Sequence, residues 1–235
     1  MQLTRHLATA CATVALALTV VACGSETTTE SKTESTTSTS TSTATSTSTA
    51  TVTSTATSPT PGAHAMTVAE YISQNNIKET PVRPGDPGSP TINLPVPPNW
   101  HRLPETAAPY YGIASDQAAD PNDPPTVSAI VAKLEGNVDP AKILEYAPND
   151  LKTLPGFEGG SANGKESTLG GFQAWQFGGT YDKNGKRRMA AQKTVVINSP
   201  NGLYVLELDA DAVESETDKL MDATSAIDEQ TTITP

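Results

Sequence analysis

Gly171-Phe-Gln-Ala-Trp-Gln-Phe-Gly-Gly-Thr-Tyr181, Arg187-Arg-Met-Ala-Ala-Gln-Lys-Thr-Val-Val-Ile197 and Leu203-Tyr-Val-Leu-Glu-Leu-Asp209 are three apolar runs separated by short turn signals. Asn184-Gly185 joins the first pair, and both residues tolerate the positive φ that a two-residue hairpin demands. Pro200-Asn201-Gly202 joins the second pair in the same way. With Phe157–Thr168 as a further strand ahead of them, the runs predict an antiparallel meander. Because side chains alternate across a strand, Trp175 and Phe177 share one face and Phe172 points to the other.

Helical signals flank this sheet. Thr67-Val-Ala-Glu70 has the spacing of a capping box, predicting a short helix over Thr67–Asn76 with Val68, Tyr71 and Ile72 on one face. Asp139-Pro140 is a cap followed by proline at the first helical position, and Ile143, Ala147, Leu151 and Leu154 recur at helical spacing. Pro148 should kink or split that helix, and Pro155-Gly156 ends it. Asp211 and Glu214 read as the start of a last helix, with Val213, Leu220, Thr224 and Ile227 on its buried side. Between these lie Thr126–Leu134, a buried strand, and Thr91-Ile92-Asn93-Leu94, a short one. The latter sits inside the stretch Pro81–Pro98, whose proline and glycine forbid helix. The rigid Pro95-Val-Pro-Pro-Asn-Trp100 passage should fix where Trp100 enters the core. Strands in series with helices grouped elsewhere give an α+β class, an antiparallel sheet with helices against it.

Ahead of the fold the chain changes character. Val20-Val21-Ala22-Cys23 closes an apolar run, Cys11–Val21, that follows Arg5, which is the pattern of a bacterial lipoprotein leader. That run is too short to span a bilayer and passes directly into Gly24, Ser25 and Glu26. The expectation is cleavage after residue 22 and acylation of Cys23; the plainer alternative is a secretory leader cut nearby. Two or three acyl chains at ~0.8 kcal/mol per buried methylene anchor a protein stably. From Glu26 to Thr60 the chain is almost wholly Thr, Ser and Ala, which cannot bury enough apolar surface to offset ordering at ~1–2 kcal/mol per residue. It reads as a disordered tether, and the roughly forty residues from Gly24 to Ala63 reach ~35 Å as a coil and ~120 Å when stretched. O-glycosylation suits its composition. The organisation expected is therefore leader 1–22, lipidated Cys23 and tether to residue 63, and one domain over 64–235.

Charge and thiol content narrow the chemistry. The formal charge is −11 over 235 residues, and loss of residues 1–22 removes one cation, Arg5, and no anion. Such a chain repels phosphate backbones and anionic lipid surfaces, so no nucleic-acid partner is expected and membrane attachment falls to the lipid. The basic run Lys186-Arg187-Arg188, beside Asn184-Gly185, reads as a solvated hairpin end. Cys11 leaves with the leader and Cys23 is acylated, so the domain holds no thiol for a disulfide, thiolate metal site or cysteine nucleophile. His64 and His101 show no metal spacing, and no Gly-x-Ser-x-Gly elbow is present. Asp116, Asp120 and Asp123 have the oxygens for calcium, but Pro121, Pro124 and Pro125 preclude an EF-hand loop and favour a polar turn. No cofactor, metal or catalytic residue is expected. Gly159-Gly160, Gly170-Gly171 and Gly178-Gly179 mark strand ends, bulges or close backbone approach.

The ligand candidates are aromatic: Trp100, Tyr110, Tyr111, Trp175 and Phe177. Core packing explains them without a ligand, and a groove with an aromatic wall for an acyl chain or a sugar is the functional alternative.

Ala69-Glu-Tyr-Ile72, Glu79-Thr-Pro-Val82, Gly85-Asp-Pro-Gly-Ser-Pro-Thr91, Leu94-Pro-Val-Pro97, Ala119-Asp-Pro-Asn-Asp-Pro-Pro125 and Asp139-Pro-Ala-Lys142 resemble the LpqN family of actinobacterial lipoproteins. So do Leu154-Pro-Gly-Phe157, Leu169-Gly-Gly-Phe172, Gln192-Lys-Thr-Val-Val-Ile197 and the end, Ile227–Pro235. The likeness covers essentially the whole folded part. It implies a Mog1/PsbP-like fold, an αβα sandwich around an antiparallel sheet, and a role in the mycobacterial envelope. It brings no catalytic set. The functional expectation is a monomeric, lipid-anchored, non-enzymatic factor on the outer face of the cell membrane, docking proteins or glycolipids of mycolate envelope assembly. A periplasmic glycolipid or acyl-chain carrier is the first alternative, and a hydrolase or transferase with unrecognised residues the second.

Overall fold

The computed structural model describes residues 65–235 apart from Ala162. The leader, Cys23 and the Thr/Ser-rich tether lie outside the described residues. No helix among those described is long and apolar enough to cross a membrane.

Three long strands form the centre. β8 (Phe172–Lys183), β9 (Lys186–Ser199) and β10 (Gly202–Val213) pair antiparallel in series. The β8–β9 turn is Asn184-Gly185, with Lys183 opposite Lys186 and φ of 54° and 73° at the two turn residues. Both positive values match the twist of the flanking strands, which is why this dipeptide closes the hairpin. β10 pairs on its other side with β5 (Thr126–Glu135), and β5 pairs with β4 (Tyr111–Ser115) and β1 (Lys78–Pro81) along different stretches. β3 (Trp100–Arg102) extends the sheet beyond β4. At the other edge β6 (Glu158–Gly159) and β7 (Lys165–Leu169) both pair with β8. The described residues thus make a nine-stranded antiparallel sheet, plus a two-stranded one of β2 (Thr91–Asn93) with β11 (Thr232–Thr234).

Alternation divides the sheet into two buried faces. Val196 opposite Val205 belongs to one, and Val195 opposite Leu206 to the other. The Val196 face is covered by α1 (Val68–Gln74), α2 (Pro140–Tyr146) and α3 (Pro148–Leu151), through Val68, Tyr71, Ile143 and Leu151. The Val195 face is covered by α4 (Thr217–Gln230), whose Leu220 and Ile227 join Val127, Leu206, Leu208 and Ala210. The arrangement is α+β, with helices on both sides of an antiparallel sheet.

Local chemistry accounts for the helix starts. Thr67 Oγ1 accepts from Glu70 N at 3.2 Å and Glu70 Oε2 accepts from Thr67 N at 2.9 Å, a complete capping box. Asp139 Oδ1 accepts from Ala141 N at 2.9 Å, with Pro140 next in line. Pro148 splits the segment into α2 and α3, since it cannot supply the amide that would continue the ladder.

Three expectations are corrected. The strand expected over Phe157–Thr168 is two short strands with a loop between, because Gly164 turns there at φ 79°. The last helix does not begin at Asp211: β10 runs on to Val213, held by Ala212 opposite Met189 and by the binding of Asp211 to Arg188. A 3-10 turn at Glu214–Glu216 then leads into α4, whose buried residues are Leu220, Ala223 and Ile227. The run Lys186-Arg187-Arg188 is solvated at Lys186 but not at Arg188. Arg188, with a side chain only 5% exposed, reaches Asp123 at 2.8 Å and contacts Asp211 closely, and Tyr181 donates to the same Asp211. Arg187 pairs with Glu158 at 2.6 Å and Lys186 with Asp123 at 2.9 Å. The acidic loop around Asp120 and Asp123 has folded onto the basic run, and mutual neutralisation allows the guanidinium to be buried.

Candidate functional site

The five candidate aromatics are not brought together. Tyr110, Tyr111 and Trp100 pack into the core on the α4 side of the sheet. Tyr111 is 1% exposed, and its hydroxyl donates to the Pro95 carbonyl while Arg102 lies over its ring at 4.3 Å. Burial pushes the Tyr111 phenol up to about 12, an effect Arg102 only partly offsets. Tyr110 is likewise raised by burial, with Asp86 adding to it. Trp175 and Phe177 lie on the opposite face, as alternation along β8 requires. Phe177 is 4% exposed and packs against Phe157 with centroids 5.4 Å apart, so it is core. Trp175 alone is half-buried at a surface opening.

That opening is a cleft of about 1090 Å³ between α2 and the β7–β8 edge of the sheet. One wall carries Ala141, Leu144 and Glu145 of α2, and the other carries Glu166, Gln173 and Trp175 of the strands. Glu166 stands directly opposite Trp175 in the β7–β8 ladder, which puts their Cβ atoms about 5 Å apart on one face. The indole is held in place: Trp175 Nε1 donates to the Asn163 carbonyl at 2.6 Å. Gly164 makes this possible, because a Cβ there would sit 2.7 Å from Nε1 and 2.4 Å from the Gln176 carbonyl. Lys152 Nζ bridges Asn163 Oδ1 at 2.8 Å and Asn149 Oδ1 at 3.1 Å behind this loop, and burial pulls its ammonium below the ordinary lysine value. The side chains along the cleft include three carboxylates, Asp139, Glu145 and Glu166, and no basic group. Glu145 pairs with Lys142 at 2.7 Å, and Asp139 is engaged as the cap of α2. Sequence reasoning found Trp175 but missed Glu166 and Leu144. The coincidence of α2 with the β7–β8 hairpin depends on a pairing that no local pattern encodes.

Elsewhere the charged candidates are engaged with one another. His101 Nδ1 lies 2.6 Å from Asp116 Oδ1 on the surface. Asp120 and Asp123 face Lys186, and the described residues hold no group of three or more His, Cys, Asp or Glu placed for a metal ion.

Residues 64–234 match the family described as "Probable lipoprotein LpqN". The chain belongs to the LpqN lipoprotein family. LpqN of Mycobacterium tuberculosis is 62% identical over 170 residues, covering 72% of this chain and 74% of that protein. The crystal structure of that LpqN, described as involved in cell envelope biogenesis of its organism, superposes with a TM-score of 0.71 over 72% of this chain and 98% of the crystallised one. A proline-rich 28 kDa antigen of M. tuberculosis is 24% identical over 162 residues, and the chain spans about half of its length. The family match, residues 64–234, spans the part of this LpqN-family chain that holds the Trp175 cleft.

Proposed function

We propose that this chain is a lipid-anchored protein of the outer face of the cell membrane that works by binding, docking a partner of mycolate or glycolipid envelope assembly in the Trp175 cleft. The observation that carries this is the cleft itself: wide, open to solvent, with an oriented indole and an aliphatic wall, and with Ser167 and Thr168 as its hydroxyls but no histidine or cysteine along it. Catalytic acyl transfer asks for a nucleophile with a base in hydrogen-bond reach, and these hydroxyls have none among the cleft residues. A carrier with an acyl chamber asks for an enclosed apolar cavity, which suits this open, half-polar cleft less well. Acylation at Cys23 and a tether to residue 63 would confine the cleft to a layer near the membrane, so that partners meet it at high effective concentration. The envelope role named for the M. tuberculosis relative agrees with this setting. The three-layer arrangement also suits a Mog1/PsbP-like reading of the fold.

The test is complementation. In a strain lacking the gene, labelled envelope glycolipids are followed with the wild-type chain, Cys23→Ala or Trp175→Leu returned. The wild type should restore the profile and both variants should fail, each with an unchanged melting temperature or expression level. Full restoration by Trp175→Leu, or turnover of a labelled envelope lipid by the purified chain, would overturn the reading.

A further inference from the structure

The Trp175 cleft is bordered by a free sheet edge. β7 is paired on one side by β8 and, among the described residues, by no strand on the other. Its Lys165, Glu166 and Thr168 are exposed, so its outer backbone groups are open to a further strand. An edge of this kind is a template for pairing with another chain. A strand added there would send alternate side chains onto the face that carries Glu166 and Trp175, and so toward α2.

Charge selects the occupant. Of the three carboxylates along the cleft, Glu145 pairs with Lys142 and Asp139 caps α2, while Glu166 has no ion-pair partner among the described residues, and no lysine or arginine lines the walls. Glu166 and the half-buried Trp175 are cross-strand neighbours, so one cation placed between them meets a carboxylate and an indole face together. An arginine suits that arrangement, since its planar guanidinium can bond the carboxylate edge-on while stacking on the ring. Leu144 and Ala141 across the cleft give an aliphatic neighbour to the next inward side chain.

Resting on the docking reading above, we infer that the cleft receives an extended, arginine-bearing segment of a protein partner, added as a strand to β7 with its cation between Glu166 and Trp175.

The test uses the mature chain, residues 23–235, with Cys23→Ser to keep it free of acyl groups. Binding is measured by fluorescence anisotropy with a labelled octapeptide alternating Arg and Val, its Glu-for-Arg counterpart, and the Arg peptide N-methylated at every second backbone nitrogen in either register. The Arg peptide should bind saturably and weaken as salt screens the pair. Binding should fall at least tenfold for the Glu peptide, about fivefold for Glu166→Gln, and at least tenfold for one of the two N-methylated registers. No binding of the Arg peptide, equal binding of both charges, or equal binding of both N-methylated forms overturns the inference. So does protection of the Trp175 fluorescence, in a Trp100→Phe background, by octyl glucoside below its micelle concentration but not by peptide, which would mark a glycolipid occupant. Should the Arg peptide fail while Trp175→Leu still fails to complement, the docking reading stands and only the basic-peptide occupant falls. Should Trp175→Leu complement fully, the docking reading falls whatever the peptide does.

Discussion

Replacing Arg188 by methionine removes the cation that joins three parts of the sheet. Its guanidinium, on a side chain 5% exposed, holds Asp123 of the acidic loop and Asp211 near the end of β10, and Tyr181 of β8 completes the network. Breaking a buried pair by deleting one partner costs about 3–5 kcal/mol because the other charge is left without compensation. Here Asp123 and Asp211 are 29% and 28% exposed and can recruit water, which places the cost near the lower end, about 3 kcal/mol. For a domain of this size each kcal/mol moves the melting temperature by about 2–4 °C, so a fall of roughly 6–12 °C is expected at pH 7. The neighbouring Lys186→Met removes an exposed pair, 49% exposed on the lysine side, and should leave the melting temperature nearly unchanged. Acid gives an independent check. Burial alone would raise the Asp123 carboxyl, but hydrogen bonds and charge from Lys186 and Arg188 outweigh it and hold the group below its ordinary 3.8. A carboxyl depressed in the folded state stabilises above its unfolded value and loses that contribution as pH falls through the folded one. The gap between wild type and Arg188→Met should therefore be flat from pH 7 to 5 and narrow below about pH 4. Melting curves by circular dichroism across that range read both effects. A difference under 2 °C at pH 7, or one that widens on acidification, would refute the reasoning.

Three further outcomes follow from the fold. Gly185→Ala should lower stability by about 1 kcal/mol, a fall of about 2–4 °C, because φ is 73° there and nothing within 4 Å obstructs the added Cβ, so only backbone strain acts; Gly185→Asn should be nearly neutral. Leu220→Ala, at a fully buried site where α4 meets the sheet, should cost about 2–5 kcal/mol by urea denaturation, with a value under 1 kcal/mol contradicting the placement of α4. Deleting residues 26–61 should leave the melting temperature within about 2 °C, and a large drop would mean that the tether packs on the domain.

Much of the architecture was legible because local chemistry decided it. The Thr67–Glu70 box, the Asp139-Pro140 start, the Pro148 break and the Asn184-Gly185 turn each act within a few residues and stand where the sequence puts them. Long-range pairing was not legible. β2 meets β11 across 139 residues, from Asn93 to Thr232, and nothing in the short Thr-Ile-Thr run announces that partner. Arg188 misled for a similar reason: three consecutive cations read as solvated until the acidic loop, 65 residues earlier in the chain, is seen folded against them. Among the candidate site residues, alternation placed Trp175 and Phe177 on one face correctly. It carried no information on Tyr111 and Trp100, whose side of the sheet is set by the registers of β4 against β5 and of β3 against β4. Glu166 went unnoticed because a single exposed carboxylate gains significance only from the indole opposite.

Photo-crosslinking in living cells probes the docking claim at its root. A benzophenone side chain is placed in the chain expressed in the cell from its full sequence, at Leu144 on the cleft wall and, for comparison, at Glu105 in the exposed loop after β3. Crosslinks to an envelope protein from Leu144, absent from Glu105 and lost when Cys23→Ala frees the chain from the membrane, are the expected result. Equal labelling from both positions, or protein crosslinks that persist undiminished without the anchor, would contradict a membrane-held cleft that works by gripping its partner.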